Sequence, residues 1–231
     1  MLKDDSMFKT ETSGQYRNIY LTLIMAIFLA KIPVINLPLV WFETFFHELS
    51  HILVGLLTGG KVTGLELHWN GDGACFIHGG IDFLTFIAGY LGAPLWGIWL
   101  YSIGTTTDPS RAMHRTRILQ VLLIISTVLW VRDGTTFLII GFLFSISWLI
   151  SWRIEEGLIR QITRFCGLYV MFNAIHSPLY IHSDRIQWDD GVALALITDV
   201  PKVAFIILWY GFALFLLLLV TYTPWVLGLE E

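Results

Sequence analysis

Between Lys202 and Glu230 the chain carries no charged residue, and the run VAFIILWYGFALFLLLLVTYTPWVLGL is longer than the about 20 apolar residues a helix needs to cross a bilayer. Other stretches repeat this pattern. Apolar periodicity and length place membrane helices at Asn18 to Leu37, Leu39 to Leu57, Asp82 to Gly104, Arg117 to Val131, Thr135 to Trp152, Ile159 to Ser177 and Pro201 to Leu227. The expected fold is therefore an all-α membrane protein of about seven transmembrane helices. Only 14% of the 231 residues are charged, against about 25% in soluble domains, so no soluble domain of ordinary size fits in what remains. Trp96, Trp99, Trp130, Trp148, Trp152 and Trp225 fall near the expected helix ends, where amphipathic rings favour the headgroup zone.

Residues 1–17 form a polar tail of mixed charge, and residues 18–231 read as one integral-membrane domain. No small-residue cleavage site follows the first apolar run, which reads as a retained span. The net charge of -4 is mixed along the chain, and no basic tract with interleaved aromatics is present. Nucleic acid is thereby excluded as an expected partner. Cys75 and Cys166 stand alone in unlike contexts and form neither a disulfide framework nor a CxxC site.

Two connections differ from ordinary loops. After Gly59-Gly60 the segment VTGLELHW, the turn NGDG and the segment ACFIH predict a β-hairpin over Val62 to His78. Ile181 to Asp199 passes through His182, Asp184, Asp189, Asp190 and Gly191 before the short apolar run VALALI. It predicts a loop and short helix, partly re-entrant, feeding the last span through Pro201.

The second apolar helix reads WFETFFHELSHILVGLLTGG. His47 and His51 lie one turn apart on one helix face, so both imidazoles can reach one ion, and Glu48 projects beside them. Zinc suits nitrogen and oxygen ligands in tetrahedral array, and a catalytic zinc keeps one position for water, whose proton Glu48 is placed to accept. Ionisable groups inside membrane helices are costly and mark function. Glu43, a turn before His47, is placed either to accept a ring N–H from a ligating histidine or to sit at the interface. A catalytic site needs a third ligand, and the candidates are Asp190, Asp189, Asp184, His176 and His182. Asp190 is preferred because Asp190-Gly191 opens the short apolar helix, although an acid there also serves as a plain cap.

At these residues the chain resembles the site-2 protease family of intramembrane zinc metalloproteases, in its bacterial subgroup without a PDZ insertion. HELSH matches the family's HExxH, and Asp190-Gly191 resembles its Asp-Gly motif, which supplies the third zinc ligand there. The spacing in DDGVALALITDVPKVAFIILW favours Asp190 over Asp189. TGG at Thr58 to Gly60 and AGYLGAPLWG at Ala88 to Gly97 resemble the family's glycine-rich segment and small-residue packing helix. Asp189 stands where the family usually has Leu, and the family's Asn-Pro signature is echoed only loosely by Asn173 and Pro178. The resemblance implies one zinc per chain on His47, His51 and Asp190, with Glu48 as catalytic base. It also implies a membrane-anchored or membrane-proximal polypeptide as substrate, in a bacterial cell membrane.

Other classes would use the same residues differently. A transporter with histidines along its path is expected to show paired broken helices or internal symmetry, and neither is evident. A non-catalytic metal-binding scaffold has no use for Glu48. A membrane zinc hydrolase acting on lipid would share every ligand, and its products would distinguish it.

Overall fold

A computed structural model of the chain describes residues 24–25, 28, 32–106, 108–154, 157–180 and 189–222. Among them are seven helices and one two-stranded sheet: α1 (Pro33–Leu57), β1 (Lys61–Leu67), β2 (Gly73–His78), α2 (Asp82–Thr105), α3 (Pro109–Trp130), α4 (Gly134–Arg153), α5 (Gly157–Tyr180), α6 (Asp190–Thr198) and α7 (Lys202–Tyr222). The polar tail 1–17, most of the first expected span, and Ile181 to Trp188 lie outside the described residues.

Local chemistry sets the ends of these elements. Pro33 opens α1 at a position where its missing N–H costs nothing, and Asp108 and Asp133 cap α3 and α4 through their carboxylates. The Asp108 cap starts α3 at Pro109 rather than at Arg117, because Asp-Pro is a stronger start signal than the onset of apolar periodicity. The second expected helix was bounded at Leu39, after Pro38; instead α1 runs unbroken from Pro33 with Pro38 inside it. A proline this close to the N-terminus removes one backbone bond in a turn whose donors are already short of partners.

Among the described residues, four helices are long and apolar enough to cross a membrane: α2, α3, α4 and α7. The expected count was seven. Of the others, α1 and α5 match them in length, but α1 carries Glu43, His47, Glu48 and His51, and α5 carries Arg160 and Arg164. The apolar faces of the four are turned outward at Val128, Phe137, Leu138, Ile207 and Phe215, among others. Surfaces of that size in contact with water would drive association, whereas lipid accommodates them.

The expected hairpin is present. β1 and β2 pair antiparallel from Lys61 opposite His78 to Leu67 opposite Gly73, with an irregularity between Val62 and Gly64. Gly71 in the turn has φ 94°, which a residue with a Cβ adopts only at a cost. The hairpin lies along α1: Thr44 Oγ1 donates to Gly71 O at 2.6 Å and Trp41 Nε1 to His68 O at 3.1 Å. On its far side Thr136 Oγ1 accepts the Leu67 N–H at 2.8 Å, and Leu65 bridges to Val131, so β1 is covered. β2 pairs with no second strand among the described residues.

The frame of the bundle is α1 against α2 and α2 against α5. Close approach of α2 and α5 needs small residues: a Cβ on Gly97 would stand 2.7 Å from Met171 Cγ. The short helix α6 rests on α2 and α7, with Leu194 fully buried beside Phe205 and Trp209.

Candidate metal centre

Three side chains from two elements distant in sequence converge on one point. His47 and His51 come from successive turns of α1, and Asp190 is the first residue of α6. His47 Nε2 and His51 Nε2 each lie 3.1 Å from Asp190 Oδ2, and the two nitrogens are 2.9 Å apart. All three atoms could serve one ion, and they form the one such cluster among the described residues.

The donor set fits zinc. Tetrahedral ligands about 2.0–2.2 Å from zinc stand roughly 3.3–3.5 Å from one another, close to the observed triangle. The tautomer is also set. His51 Nδ1 lies 2.6 Å from Thr85 O, which can only accept, so Nδ1 carries the proton and the Nε2 lone pair faces the centre. The space is provided by Gly89, one turn beyond Thr85 on α2: a Cβ there would stand 2.5 Å from His47 Nε2 and closer still to His51 Nε2. The two imidazoles therefore rest on bare backbone. Tyr90 packs edge-on against the His47 ring at 4.4 Å and is itself backed by Trp209.

Of the other candidate third ligands, Asp189 faces away and pairs with Lys202 Nζ at 2.8 Å. His176 is turned to its own helix, with Nδ1 3.1 Å from Phe172 O. His182 and Asp184 lie outside the described residues.

The sequence profile of the Peptidase M50B-like family matches residues 20–220, nearly the whole chain. The chain belongs to the Peptidase M50B-like family. No curated protein and no solved structure is significantly similar to it. Family and apolar helices together make this M50B-like chain an integral membrane protein.

Beside the candidate metal centre of this M50B-like chain, Glu48 is buried where α1 meets the hairpin. Its Cγ lies where a Cβ on Gly73 would come within 3.1 Å. Burial pushes the thiol of Cys75, on the neighbouring strand β2, well above the usual range, so it keeps its proton.

Glu43 is not the histidine's hydrogen-bond partner. Its Oε2 accepts from Asn173 Nδ2 at 3.1 Å and its Oε1 from Ser177 Oγ at 3.0 Å, so it ties α5 to α1 one turn before His47. Glu43→Ala leaves both donors without their acceptor. It is expected to lower the stability of the detergent-solubilised protein by about 1–3 kcal/mol, read as an earlier thermal unfolding transition. An unshifted transition would mean that this tie is not stabilising.

Sequence reasoning did not single out Thr85, whose backbone carbonyl does the work and leaves no signature in residue type. It assigned Gly89 to helix packing within AGYLG. The packing role stands for Gly97, but Gly89 faces the imidazoles, and only the crossing of α1 by α2 reveals this.

Proposed function

We propose that this M50B-like chain is an intramembrane zinc metalloprotease, one zinc per chain, that hydrolyses peptide bonds of membrane-anchored or membrane-proximal polypeptides. The observation that carries the reading is the triangle of His47 Nε2, His51 Nε2 and Asp190 Oδ2, with Glu48 on the same turn of α1. The family assignment supports peptide as the substrate, and the apolar helices support the membrane as its setting. The resemblance to the bacterial subgroup favours a bacterial cell membrane.

His47, His51 and Asp190 would hold the ion. Bound there, zinc supplies a Lewis acid that polarises a peptide carbonyl and acidifies water. Glu48 takes the proton of the attacking water and returns it to the amine nitrogen as the C–N bond breaks. Thr85 keeps the His51 proton on Nδ1, away from the ion. Tyr90 and Trp209 wall the centre with aromatic surface, while His47 and Asp190 stay slightly open at 13% and 17% side-chain exposure, enough for water to reach them.

A helical peptide shields its own backbone, so substrate must reach this centre extended. The edge of β2 not covered by β1 runs past Glu48 at Gly73, and an extended segment pairing there would bring its peptide groups alongside the centre.

The test is product analysis. Protein reconstituted in vesicles is incubated with labelled helical membrane peptides in one arm and with labelled phospholipids in the other. Peptide fragments that disappear on zinc chelation and return with added zinc are expected. Lipid products alone would replace the protease reading with a lipid hydrolase, and no product in either arm would count against catalysis.

A further inference from the structure

We infer that Lys202 and Asp189 form a latch that holds Asp190 in its ligating position, which makes both of them positioning residues of the metal centre. The inference rests on the zinc reading above and extends it to residues that never touch the ion.

Asp189 is fixed at three points. Its Oδ1 accepts the Val192 N–H at 2.9 Å, its carbonyl accepts the Ala193 N–H at 2.9 Å, and its Oδ2 meets Lys202 Nζ at 2.8 Å. The first two bonds cap α6 in the usual way for an aspartate. The third is different, because a cap needs one carboxylate oxygen and the second is free to take a charge. Asp190 follows directly, so the direction in which its side chain leaves the backbone is set by how Asp189 is held. A carboxylate on a helix of nine residues, joined to the frame through α2 and α7, needs such an attachment to be held within a few tenths of an ångström.

Lys202 stands on firm ground. It opens α7, and α7 is tied to α2 where Trp209 Nε1 donates to Ile87 O at 3.3 Å, two residues from Gly89. Its aliphatic stem crosses Gly191, where a Cβ would stand 3.0 Å from Lys202 Cγ and 3.1 Å from Asp189 Oδ1. The latch thus fastens the start of α6 to the helix that backs Tyr90, and through it to the histidine face.

Charge gives the second reason. Asp189 and Asp190 are consecutive carboxylates in largely buried surroundings, with side-chain exposures of 7% and 17%. Left alone they repel, and either could swing toward the cation site. Lys202 cancels the charge of Asp189 and leaves that of Asp190 for the ion. This pairing decides which of two adjacent acids becomes the ligand, a choice that residue type does not make.

The test uses the full chain in detergent, stripped of metal and titrated with zinc against a chromophoric competitor. Cobalt(II) loaded in parallel reports ligand geometry through its visible spectrum. Lys202→Met is expected to weaken zinc binding by about 10–100-fold, the usual effect of losing a residue that orients a ligand, and to alter the cobalt spectrum. Asp189→Asn keeps an oxygen for the cap but loses the ion pair, and should match it. The double variant should be no worse than either single one, because both remove the same contact. Lys202→Arg should recover most of the affinity, which also guards against a trivial folding defect in Lys202→Met. Wild-type affinity with an unchanged cobalt spectrum in Lys202→Met, or losses that add in the double variant, would overturn the latch while leaving the zinc site standing. Failure of the wild-type chain to bind zinc, or undiminished binding by Asp190→Ala, would overturn the site and the latch with it.

Discussion

Glu48→Gln is expected to retain about one zinc per chain, as the wild type does, and to lose turnover by about 10²–10⁴-fold, the range that general acid–base catalysis supplies. Glutamine has the same shape, so the packing of α1 against β2 at Gly73 is kept. What it cannot do is take a proton from water and give it to the leaving amine. The loss should therefore fall on kcat with little change in KM, because Glu48 is buried and acts on the water rather than in holding substrate. Metal content and fragment release measured on the same preparation check the prediction. Equal turnover would remove Glu48 from the chemistry.

Gly89→Ala is expected to weaken metal binding at the centre without unfolding the bundle. The added methyl meets both imidazoles where they rest on α2, and neither ring can retreat: His51 is held by Thr85 O and His47 is backed by Tyr90. Overpacking of this kind costs about 1–3 kcal/mol. Taken from metal binding, that is about a 5- to 150-fold loss of affinity. The contact involves two rings at once, which puts the effect toward the upper end. Gly141→Ala is the control, since a Cβ there meets nothing within 4 Å. Zinc titration of the two variants beside the wild type gives the answer. If Gly89→Ala binds as tightly as Gly141→Ala, the rings do not sit against that glycine.

The parts of this architecture that the residues announce are those governed by local rules. HELSH on an apolar helix gives two imidazoles on one face whatever surrounds them, and Asn70-Gly71 between alternating segments gives the hairpin. The preference for Asp190 over Asp189 rests in the sequence on the Asp-Gly pair that opens the short apolar helix and on spacing that resembles a family, because two adjacent acids before the same apolar run are equivalent by type. Their difference comes from Lys202, thirteen residues on, whose approach depends on how α7 packs. Thr85 and Gly89 were hidden for a related reason: a backbone carbonyl and a missing side chain acquire meaning only where another helix crosses them. Glu43 was read as a possible partner for a histidine and instead binds Asn173 and Ser177, residues 130 and 134 positions away. Among the described residues four helices qualify as spans where seven were expected; most of the first expected span lies outside those residues, and helices built around buried polar groups, such as α1, have the length of a membrane span but not its composition.

X-ray absorption at the zinc edge, on protein purified without added metal, tests the central claim most directly. The account predicts bound zinc with a shell of nitrogen and oxygen at about 2.0–2.1 Å, altered by His47→Ala and by Asp190→Ala alike. Zinc absent from the wild type, or a spectrum that neither substitution changes, would contradict it.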